Sequence, residues 1–234
     1  MSVRRLRIAD LFCGGGGAAM GLHQAFPDAE ITGFDTRPQP RYPFRFVQQD
    51  ALTVDLDGYD FVWASPPCQD HSSLRSIAAV TRRGPAPEHH RDRLAETREK
   101  LQASGVSWIM ENVVGAPMAY SAVLCGLTFG LRVYRHRLFE APFLLLAPPH
   151  QKHVLPALSH RNPTNGLSRK ESYLAGTSFA TVTGNAGSYA GPGMGIDWMT
   201  GDELSQAVPP CYSRYLAQFI PVRVPDKDEK EREG

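Results

Sequence analysis

The stretch "LRIADLFCGGGGAAMGL", residues 6–22, decides the fold. It runs from a short apolar segment that ends in an acid, through four consecutive glycines, into residues that are compatible with a helix. A strand, a glycine turn and a helix in this order begin a nucleotide-binding βαβ unit, although a tight connection without a ligand can have the same pattern. The stretch therefore predicts an α/β fold and marks the turn as a candidate site for a charged group at the start of the helix.

Segments further along the chain extend this pattern. Short apolar runs that end near an acid or a turn predict strands in "EITGFD" (30–35), "FRFVQQD" (44–50), "YDFVWAS" (59–65), "VSWIMENV" (106–113) and "RHRLFEA" (135–141). Helices are predicted in "RDRLAETREKLQAS" (91–104), in "MAYSAVLCGLTF" (118–129) and, across a proline break, in "TGDELSQAVPPCYSRYLAQFI" (200–220). Thr200 and Glu203 have the spacing of a capping box. The order of elements predicts an open parallel sheet with functional residues at the carboxyl ends of its strands.

Composition and charge narrow the class of protein. The chain has 234 residues, of which 42% are hydrophobic, enough for one large domain with a small insertion. Residues 71–170 carry 14 Lys and Arg against 6 Asp and Glu, a net charge of +8, whereas the whole chain carries +1. Such a segment suits a polyanion such as nucleic acid, with an ordinary solvated surface as the alternative. No run approaches the ~20 apolar residues that span a bilayer, so a cytoplasmic protein without membrane contact is expected.

The cysteine spacing and the adjacent His89 and His90 do not predict a metal site. The chain has four cysteines, and none of them belongs to a C-x-x-C pair, so the sequence predicts neither a disulfide framework nor a zinc cluster. His89 and His90 are adjacent, and adjacent side chains point in different directions in regular structure. No metal is therefore expected.

Three residues stand out as candidates for a binding or catalytic site. Asp35 follows Gly17 by 18 residues at the end of the predicted second strand, where an acid can accept a hydrogen bond from a ribose hydroxyl. Asp50 ends the predicted third strand, a position suited to an adenine amino group. Cys68 follows two prolines that stiffen the backbone, which favours a presented nucleophile over the alternative of a buried structural thiol.

Six segments, in this order, resemble the motifs of the DNA (cytosine-5)-methyltransferases. They are "DLFCGGGG" (10–17), "PPCQ" (66–69), "ENV" (111–113), "RHRLF" (135–139), "ATVTGN" (180–185) and "QAVPP" (206–210). The resemblance covers most of residues 6–220. It implies a Rossmann-like S-adenosylmethionine-dependent methyltransferase fold with a mostly parallel sheet and a small loop-rich insertion. It further implies a compact solitary enzyme of the phage or prophage type, acting in a bacterial cell or an infected host.

The resemblance also implies a division of the chain. Residues 1–149 would form the catalytic and cofactor-binding domain, 150–192 a small target-recognition region, 193–221 a segment that completes the catalytic domain, and 222–234 a charged tail. The expected partner is double-stranded DNA, bound by a monomer. About 40 residues can supply few base contacts, each worth roughly 1–3 kcal/mol, so a short or degenerate target is expected.

The resemblance implies methylation of carbon 5 of cytosine, on a base that is turned out of the duplex. This reaction sets the expected roles of the site residues. Cys68 would add to carbon 6, and Glu111 would donate a proton or hydrogen bond to ring nitrogen 3. Arg135 and Arg137 would favour the thiolate. The implied substrate-binding residues are Gln69, Asn112, Arg75 and Arg82. The implied cofactor-binding residues are Asp10, Phe12, Gly14, Gly16, Asp35, Asp50, Pro66 and Gln206.

The sequence departs from the family pattern in places, and other functions stay open. Val133 stands two positions before Arg135, where the family usually has Gln, and Asp35 stands where Glu is more frequent. The small recognition region leaves open a related enzyme that acts on RNA or a free nucleotide. A catalytically silent DNA-binding decoy is the alternative from another class of protein, although the intact Cys68 and Glu111 argue against it.

Overall fold

The apolar runs of the sequence form the central strands of one sheet. The computed structural model describes residues 4–67, 93–119, 121–156, 167–180, 182 and 190–221. Within these residues, seven strands are arranged in the order β3-β2-β1-β4-β5-β7-β6. Their bounds are β1 Arg7–Leu11, β2 Glu30–Asp35, β3 Arg45–Gln48, β4 Phe61–Ala64, β5 Ser107–Val113, β6 Ala122–Leu124 and β7 Arg137–Glu140. Strands β1 to β5 pair in parallel, and β7 pairs antiparallel with both β5 and β6, which confirms the predicted open, mostly parallel sheet.

Six helices and three short 3₁₀ helices accompany the sheet in the described residues. The α-helices are α1 Gly17–Ala25, α2 Arg93–Ser104, α3 Arg169–Leu174, α4 Ala190–Met194, α5 Gly201–Gln206 and α6 Pro210–Leu216. The 3₁₀ helices are Ala51–Thr53, Gly126–Phe129 and Ala217–Phe219. None of the helices in this part of the chain is long and apolar enough to cross a membrane.

Both faces of the central strands β1, β4 and β5 are buried, which explains why these strands are nearly continuous apolar runs. Alternate residues of β1 and β4, such as Ile8 and Trp63, pack on one side with α1 and α6. The residues between them, such as Ala9 and Val62, pack on the other side with Leu94 and Leu101 of α2. Each fully buried large side chain contributes about 1.5–3 kcal/mol, so the two layers fix the sheet between the helices.

The predicted helix over residues 118–129 is wrong. Residues 122–124 form strand β6, and a 3₁₀ helix follows. Ala122 and Leu124 are buried whereas Val123 is 41% exposed, the alternation of a strand with one buried face. Pairing with β7 outweighs the helix propensity of these residues. At the turn that follows, a Cβ on Gly126 would overlap the carbonyl oxygen of Val133, so the close chain approach requires glycine.

The C-terminal prediction is confirmed. Helices α5 and α6 are separated by Ala207, Val208 and Pro209, and Pro210 occupies the first turn of α6. The capping box is present: the Thr200 hydroxyl accepts from the Glu203 N–H at 3.4 Å, and Glu203 Oε2 accepts from the Thr200 N–H at 2.6 Å.

The predicted loop-rich region is partly described. Its described residues contain α3 and the first residues of α4, which crosses the predicted boundary between 192 and 193. A third apolar cluster joins these parts to α5 and the chain before β7; its buried members are Val133, Tyr173, Ala180, Val182, Ala190, Met194, Ile196, Leu204 and Ala207. The predicted loop at 72–90 and the predicted charged tail at 222–234 lie outside the described residues.

Candidate active site at the carboxyl edge of the sheet

The strand register brings the candidate residues into one row. Phe34, Leu11, Ala64 and Met110 are aligned in register across four neighbouring parallel strands. The residues that follow them in the chain are Asp35, Phe12, Ser65 and Glu111. Residues from separate motifs therefore meet at the carboxyl edge of the sheet, where ligands bind in open α/β folds.

The predicted glycine turn follows β1, and its backbone is left-handed at several positions. Gly14 and Gly16 have φ values of +48° and +81°, a region that favours glycine, and Phe12 also has a positive φ of +56°. The Gly14 N–H donates to Asp35 Oδ2 at 3.2 Å. Asp35 thus holds the turn against the end of β2, and its other oxygen accepts from the Arg37 N–H at 2.9 Å.

Asp10 lies in the interior before this turn. It is 1% exposed, and the Tyr42 hydroxyl donates to its Oδ2 at 3.1 Å. Burial raises the pKa of Asp10 to about 7; the Tyr42 hydrogen bond opposes this rise, and the nearby Asp35 adds to it. Asp10 is therefore a buried group with a strongly perturbed pKa next to the candidate ligand site.

The predicted adenine-side residue, Asp50, makes a bidentate ion pair. Arg93 Nη1 and Nη2 lie 2.7 and 2.8 Å from Asp50 Oδ1 and Oδ2. The Leu52 N–H also donates to Oδ1, at 3.0 Å. Arg93 holds the pKa of Asp50 below its usual range, so this carboxylate is charged at neutral pH.

The C-terminal segment packs against the glycine turn. The Trp198 indole N–H donates to the Gly15 carbonyl oxygen at 2.9 Å. A Cβ on Gly17 would overlap the Val208 carbonyl oxygen, so the "AVPP" segment lies directly on the start of α1. Gln206, predicted to bind the cofactor, is exposed, and its side chain donates to the Ser205 hydroxyl at 3.4 Å.

Glu111 and Arg137 form a buried ion pair at the end of β5. Arg137 Nε lies 2.7 Å from Glu111 Oε1, and the two side chains are 12% and 8% exposed. Burial raises the pKa of Glu111, while the positive charges of Arg137 and Arg135 and a hydrogen bond with Ser65 partly oppose this rise. Glu111 is therefore closer to protonation at neutral pH than an exposed glutamate.

Asn112 connects β5 to the chain leaving β4. Its Nδ2 donates to the carbonyl oxygen of Pro66 at 3.2 Å, and its Oδ1 accepts from the Val113 N–H at 2.9 Å. The Pro66 carbonyl stands two residues before Cys68, so Asn112 fixes the direction in which the chain leaves the sheet. Cys68 itself lies outside the described residues, as do Gln69, Arg75 and Arg82.

Arg135 contacts the C-terminal segment. Its guanidinium donates to the carbonyl oxygens of Val182, Ser205 and Ala207 at 2.7–3.2 Å. Its backbone has a positive φ of +36°, and the Tyr212 hydroxyl donates to its carbonyl oxygen at 2.8 Å. These contacts give Arg135 a structural position beside the Glu111 site, and its predicted catalytic role stays a prediction.

The structure also shows residues that the sequence did not single out. Ser65, Tyr42 and Arg93 contact predicted site residues, and Trp198 contacts the glycine turn. Strand register could have indicated Ser65, since it directly follows β4; the other three come from segments without a motif. A separate group of Cys125 and three histidines lies near the start of β7.

Comparisons with known proteins agree with this architecture. No protein-family model matches the sequence, and no curated protein matches it. The structure is similar to that of the Entamoeba histolytica methyltransferase EhMeth, with a TM-score of 0.52 and 13% identity, covering 92% of this chain and 98% of that one. It is also similar to part of an O-methyltransferase from a Brevibacillus brevis trans-AT PKS multienzyme, in complex with S-adenosyl-L-homocysteine. That match has a TM-score of 0.31 and 12% identity, covering 52% of this chain and 39% of that one.

The likeness to EhMeth is one of fold. Together with the strand order and the flanking helices, it shows that this chain has a Rossmann-like α/β methyltransferase fold, which confirms the predicted fold class.

Proposed function

We propose that this chain is an S-adenosylmethionine-dependent methyltransferase that acts on carbon 5 of cytosine in DNA, with Cys68 as the nucleophile. The observation that carries the proposal is the buried Glu111–Arg137 pair, one residue from the Asn112 amide that binds Pro66. The carboxyl group needed at the ring and the backbone leading to the nucleophile are thereby held at one edge of the sheet. This arrangement supports the acid and nucleophile roles that cytosine chemistry requires of Glu111 and Cys68.

The residues at the other end of this edge fit the cofactor. A glycine turn at the start of α1 suits a charged amino-acid group, and Asp35 at the end of β2 suits a ribose hydroxyl. The Asp50 carboxylate binds Arg93 in this structure. It would also accept a hydrogen bond from the adenine amino group of the cofactor. S-adenosylmethionine would supply an electrophilic methyl group.

The chain's own residues would prepare the ring. Carbon 5 of cytosine is a poor nucleophile, and addition of the Cys68 thiolate to carbon 6 makes carbon 5 electron-rich. The addition pushes an electron pair onto ring nitrogen 3, and Glu111 would donate its proton to that nitrogen and become a carboxylate. Its raised pKa favours the protonated form that can donate. After methylation, loss of the proton on carbon 5 expels the thiolate and restores the aromatic ring.

Charge supports a nucleic-acid substrate. The segment from 71 to 170 carries 14 Lys and Arg against 6 Asp and Glu. Basic side chains that contact phosphates position the duplex without reading its sequence, which leaves readout to the small region from 150 to 192. A stacked cytosine cannot expose carbon 6 to a thiolate, so the base must be turned out.

Covalent trapping tests the proposal. The purified chain is incubated with S-adenosylmethionine and DNA containing 5-fluorocytosine, which cannot lose a proton from carbon 5 and so retains the Cys68 adduct. The wild type and a Cys211→Ser control should form the adduct, and Cys68→Ser should not while still binding cofactor. An adduct in Cys68→Ser refutes the nucleophile, and no adduct in the wild type favours a silent DNA-binding protein.

A tritiated methyl-transfer assay with DNA, RNA and dCMP separates the substrate classes. We expect label in duplex DNA, in a short sequence context that bisulfite sequencing identifies. Label in RNA or dCMP and none in DNA would overturn the DNA assignment.

A further inference from the structure

Four potential metal ligands converge at the start of β7, where His136 directly precedes Arg137. Cys125 follows β6, His136 directly precedes β7, and His150 and His153 lie on the chain after β7. Each offers one ligand atom, and the four atoms all lie within 4.8 Å of one another. The Cys125 Sγ lies 3.4 Å from His153 Nε2, and His136 Nε2 lies 3.0 Å from His150 Nε2.

These distances fit a tetrahedral ion. Zinc binds thiolate sulfur at about 2.3 Å and imidazole nitrogen at about 2.0–2.1 Å, which places ligand atoms roughly 3.3–3.6 Å apart at the corners of a tetrahedron. The separations of 3.4 and 3.0 Å are close to these values. The remaining separations are at most 4.8 Å, so they would shorten by no more than about 1.5 Å to complete the geometry. One sulfur and three imidazole nitrogens are also ligands that zinc accepts.

The surroundings hold the ligands in place. Cys125 is 2% exposed, and the N–H groups of Leu127 and Thr128 donate to its sulfur. Such N–H groups stabilise the thiolate that a metal requires. The Tyr134 ring stacks on His153, with ring centroids 3.6 Å apart and planes 10° apart. The Tyr134 hydroxyl donates to the Leu155 carbonyl oxygen, which fixes the chain that carries His150 and His153.

A packed group of neutral histidines is the other explanation of the cluster. It is the weaker one because three imidazole rings lie with centroids 4.9–5.2 Å apart and direct nitrogen atoms at one another or at a sulfur. Lone pairs that face each other repel unless a proton or a cation lies between them. One N–H···N hydrogen bond between neutral rings can satisfy one such pair, whereas a single cation satisfies all four ligand atoms that lie within 4.8 Å of one another.

We propose that Cys125, His136, His150 and His153 bind one structural zinc ion. With four protein ligands the site is closed, which is the pattern of structural rather than catalytic zinc. The ion would join the chain after β7 to the residue between Arg135 and Arg137, and so stabilise the region that leads towards residue 156. The expectation of no metal rested on local cysteine spacing, whereas this site assembles from three separate segments. The four ligands would bind zinc whether or not the chain transfers methyl groups.

Metal analysis of the purified full chain tests the site. After growth with zinc, inductively coupled plasma mass spectrometry should find about one zinc per chain. The apo chain titrated with Co²⁺ should show the visible absorption of a tetrahedral site and a thiolate-to-cobalt charge-transfer band. Cys125→Ser should lose the charge-transfer band. His150→Ala should weaken zinc binding by more than about tenfold, because the loss of a residue that only hydrogen-bonds to a ligand already costs about 10- to 100-fold.

Two variants make the result specific. His150 is exposed, so His150→Ala tests the site without removing a buried side chain. His23→Ala removes a histidine that packs on Phe44 outside the cluster and should bind metal like the wild type. A folded wild type that takes up neither zinc nor cobalt overturns the site, and so does an unchanged zinc affinity in His150→Ala.

Discussion

Glu111 Oε1 and Arg137 Nε lie 2.7 Å apart although the two residues are not opposite each other in the sheet. Glu111 pairs with Phe139 in the antiparallel register, so Arg137 is its diagonal neighbour two residues along β7. Diagonal neighbours lie on the same face of a sheet, within reach of long side chains. Strand β7 runs antiparallel to β5 and begins beside its end, so Arg137 lies at the carboxyl edge of the sheet. Register, more than loop conformation, sets the geometry of this ion pair.

Replacing Glu111 with Gln should abolish most methyl transfer. The amide is nearly isosteric but cannot supply a proton to the ring, and general acid catalysis contributes about 10²- to 10⁴-fold. We therefore expect the tritiated methyl-transfer rate to fall by about 10²- to 10⁴-fold, with cofactor affinity by calorimetry unchanged.

Glu140→Gln is the matched control. Glu140, on the neighbouring strand β7, is also buried, at 4% exposure, and pairs with Arg98 of α2 at 2.7 Å. Loss of that pair should reduce the free energy of unfolding without a selective effect on rate. Equal losses of rate in the two variants would show that Glu111 acts through stability alone.

Variants of Arg135 and Arg137 should differ in their effects, because Arg135 is expected to contribute mainly to stability and Arg137 mainly to activity. Arg135→Lys cannot reach three carbonyl oxygens at once, and hydrogen bonds to a charged group contribute about 1.5–3 kcal/mol, so the free energy of unfolding should fall by about that amount. Hydrogen exchange should rise around Ala207.

Arg137→Lys keeps a cation beside Glu111 and should change stability by less than about 1 kcal/mol while it lowers the methyl-transfer rate. Urea unfolding of both variants checks the contrast. A larger loss of stability in Arg137→Lys than in Arg135→Lys would reverse the roles assigned to them.

The sequence predicted the central sheet because strands buried on both faces are continuous apolar runs with acids or turns at their ends. It failed at residues 118–129, where a strand of three residues is too short to show its alternation and depends on pairing with β7. The row of Phe12, Asp35, Ser65 and Glu111 was predictable only in part, since the motifs indicate the residues but not the register that aligns them.

Contacts between segments that are distant in the sequence could not be predicted from local sequence patterns. The Trp198 hydrogen bond to Gly15 joins segments 183 residues apart. The sequence around each residue contains no pattern that predicts the contact. The cluster at Cys125 likewise assembles from three segments. Its one local signal, the H-x-x-H spacing of His150 and His153, is weak alone because two histidines do not define a site.

Gly17→Ala should test the packing of the C-terminal segment on the glycine turn. Its φ is ordinary, but an added Cβ would overlap the Val208 carbonyl oxygen, and backbone can yield only by moving the segment. Overpacking of this kind costs about 1–3 kcal/mol or more, so we expect a clear fall in the free energy of unfolding together with weaker cofactor binding.

Gly105→Ala supplies the comparison for this variant. Gly105 has a φ of +68° and open space around its Cβ position, so alanine should cost about 1 kcal/mol through backbone strain alone. Its cofactor affinity should be that of the wild type. If Gly17→Ala binds cofactor normally, the "AVPP" segment does not shape the cofactor site.

The raised pKa of Asp10 predicts a specific dependence of stability on pH. Its pKa is about 7 in the folded chain and 3.8 for the ordinary group, so between these values the folded state binds the proton more tightly than the unfolded state. The contribution of Asp10 to stability is therefore complete below about pH 4 and is lost as the pH rises through 7. The loss is on the order of 4 kcal/mol for a shift of this size.

Asp10→Asn should remove this dependence, because the amide does not titrate but still accepts the Tyr42 hydrogen bond. Urea unfolding at pH 5 and pH 8 should show the wild type losing stability relative to Asp10→Asn as the pH rises. Tyr42→Phe removes the hydrogen bond that lowers the pKa of Asp10, so in that variant the loss should extend to higher pH. Parallel stability curves for the wild type and Asp10→Asn would show that Asp10 is already charged in the folded chain at pH 5.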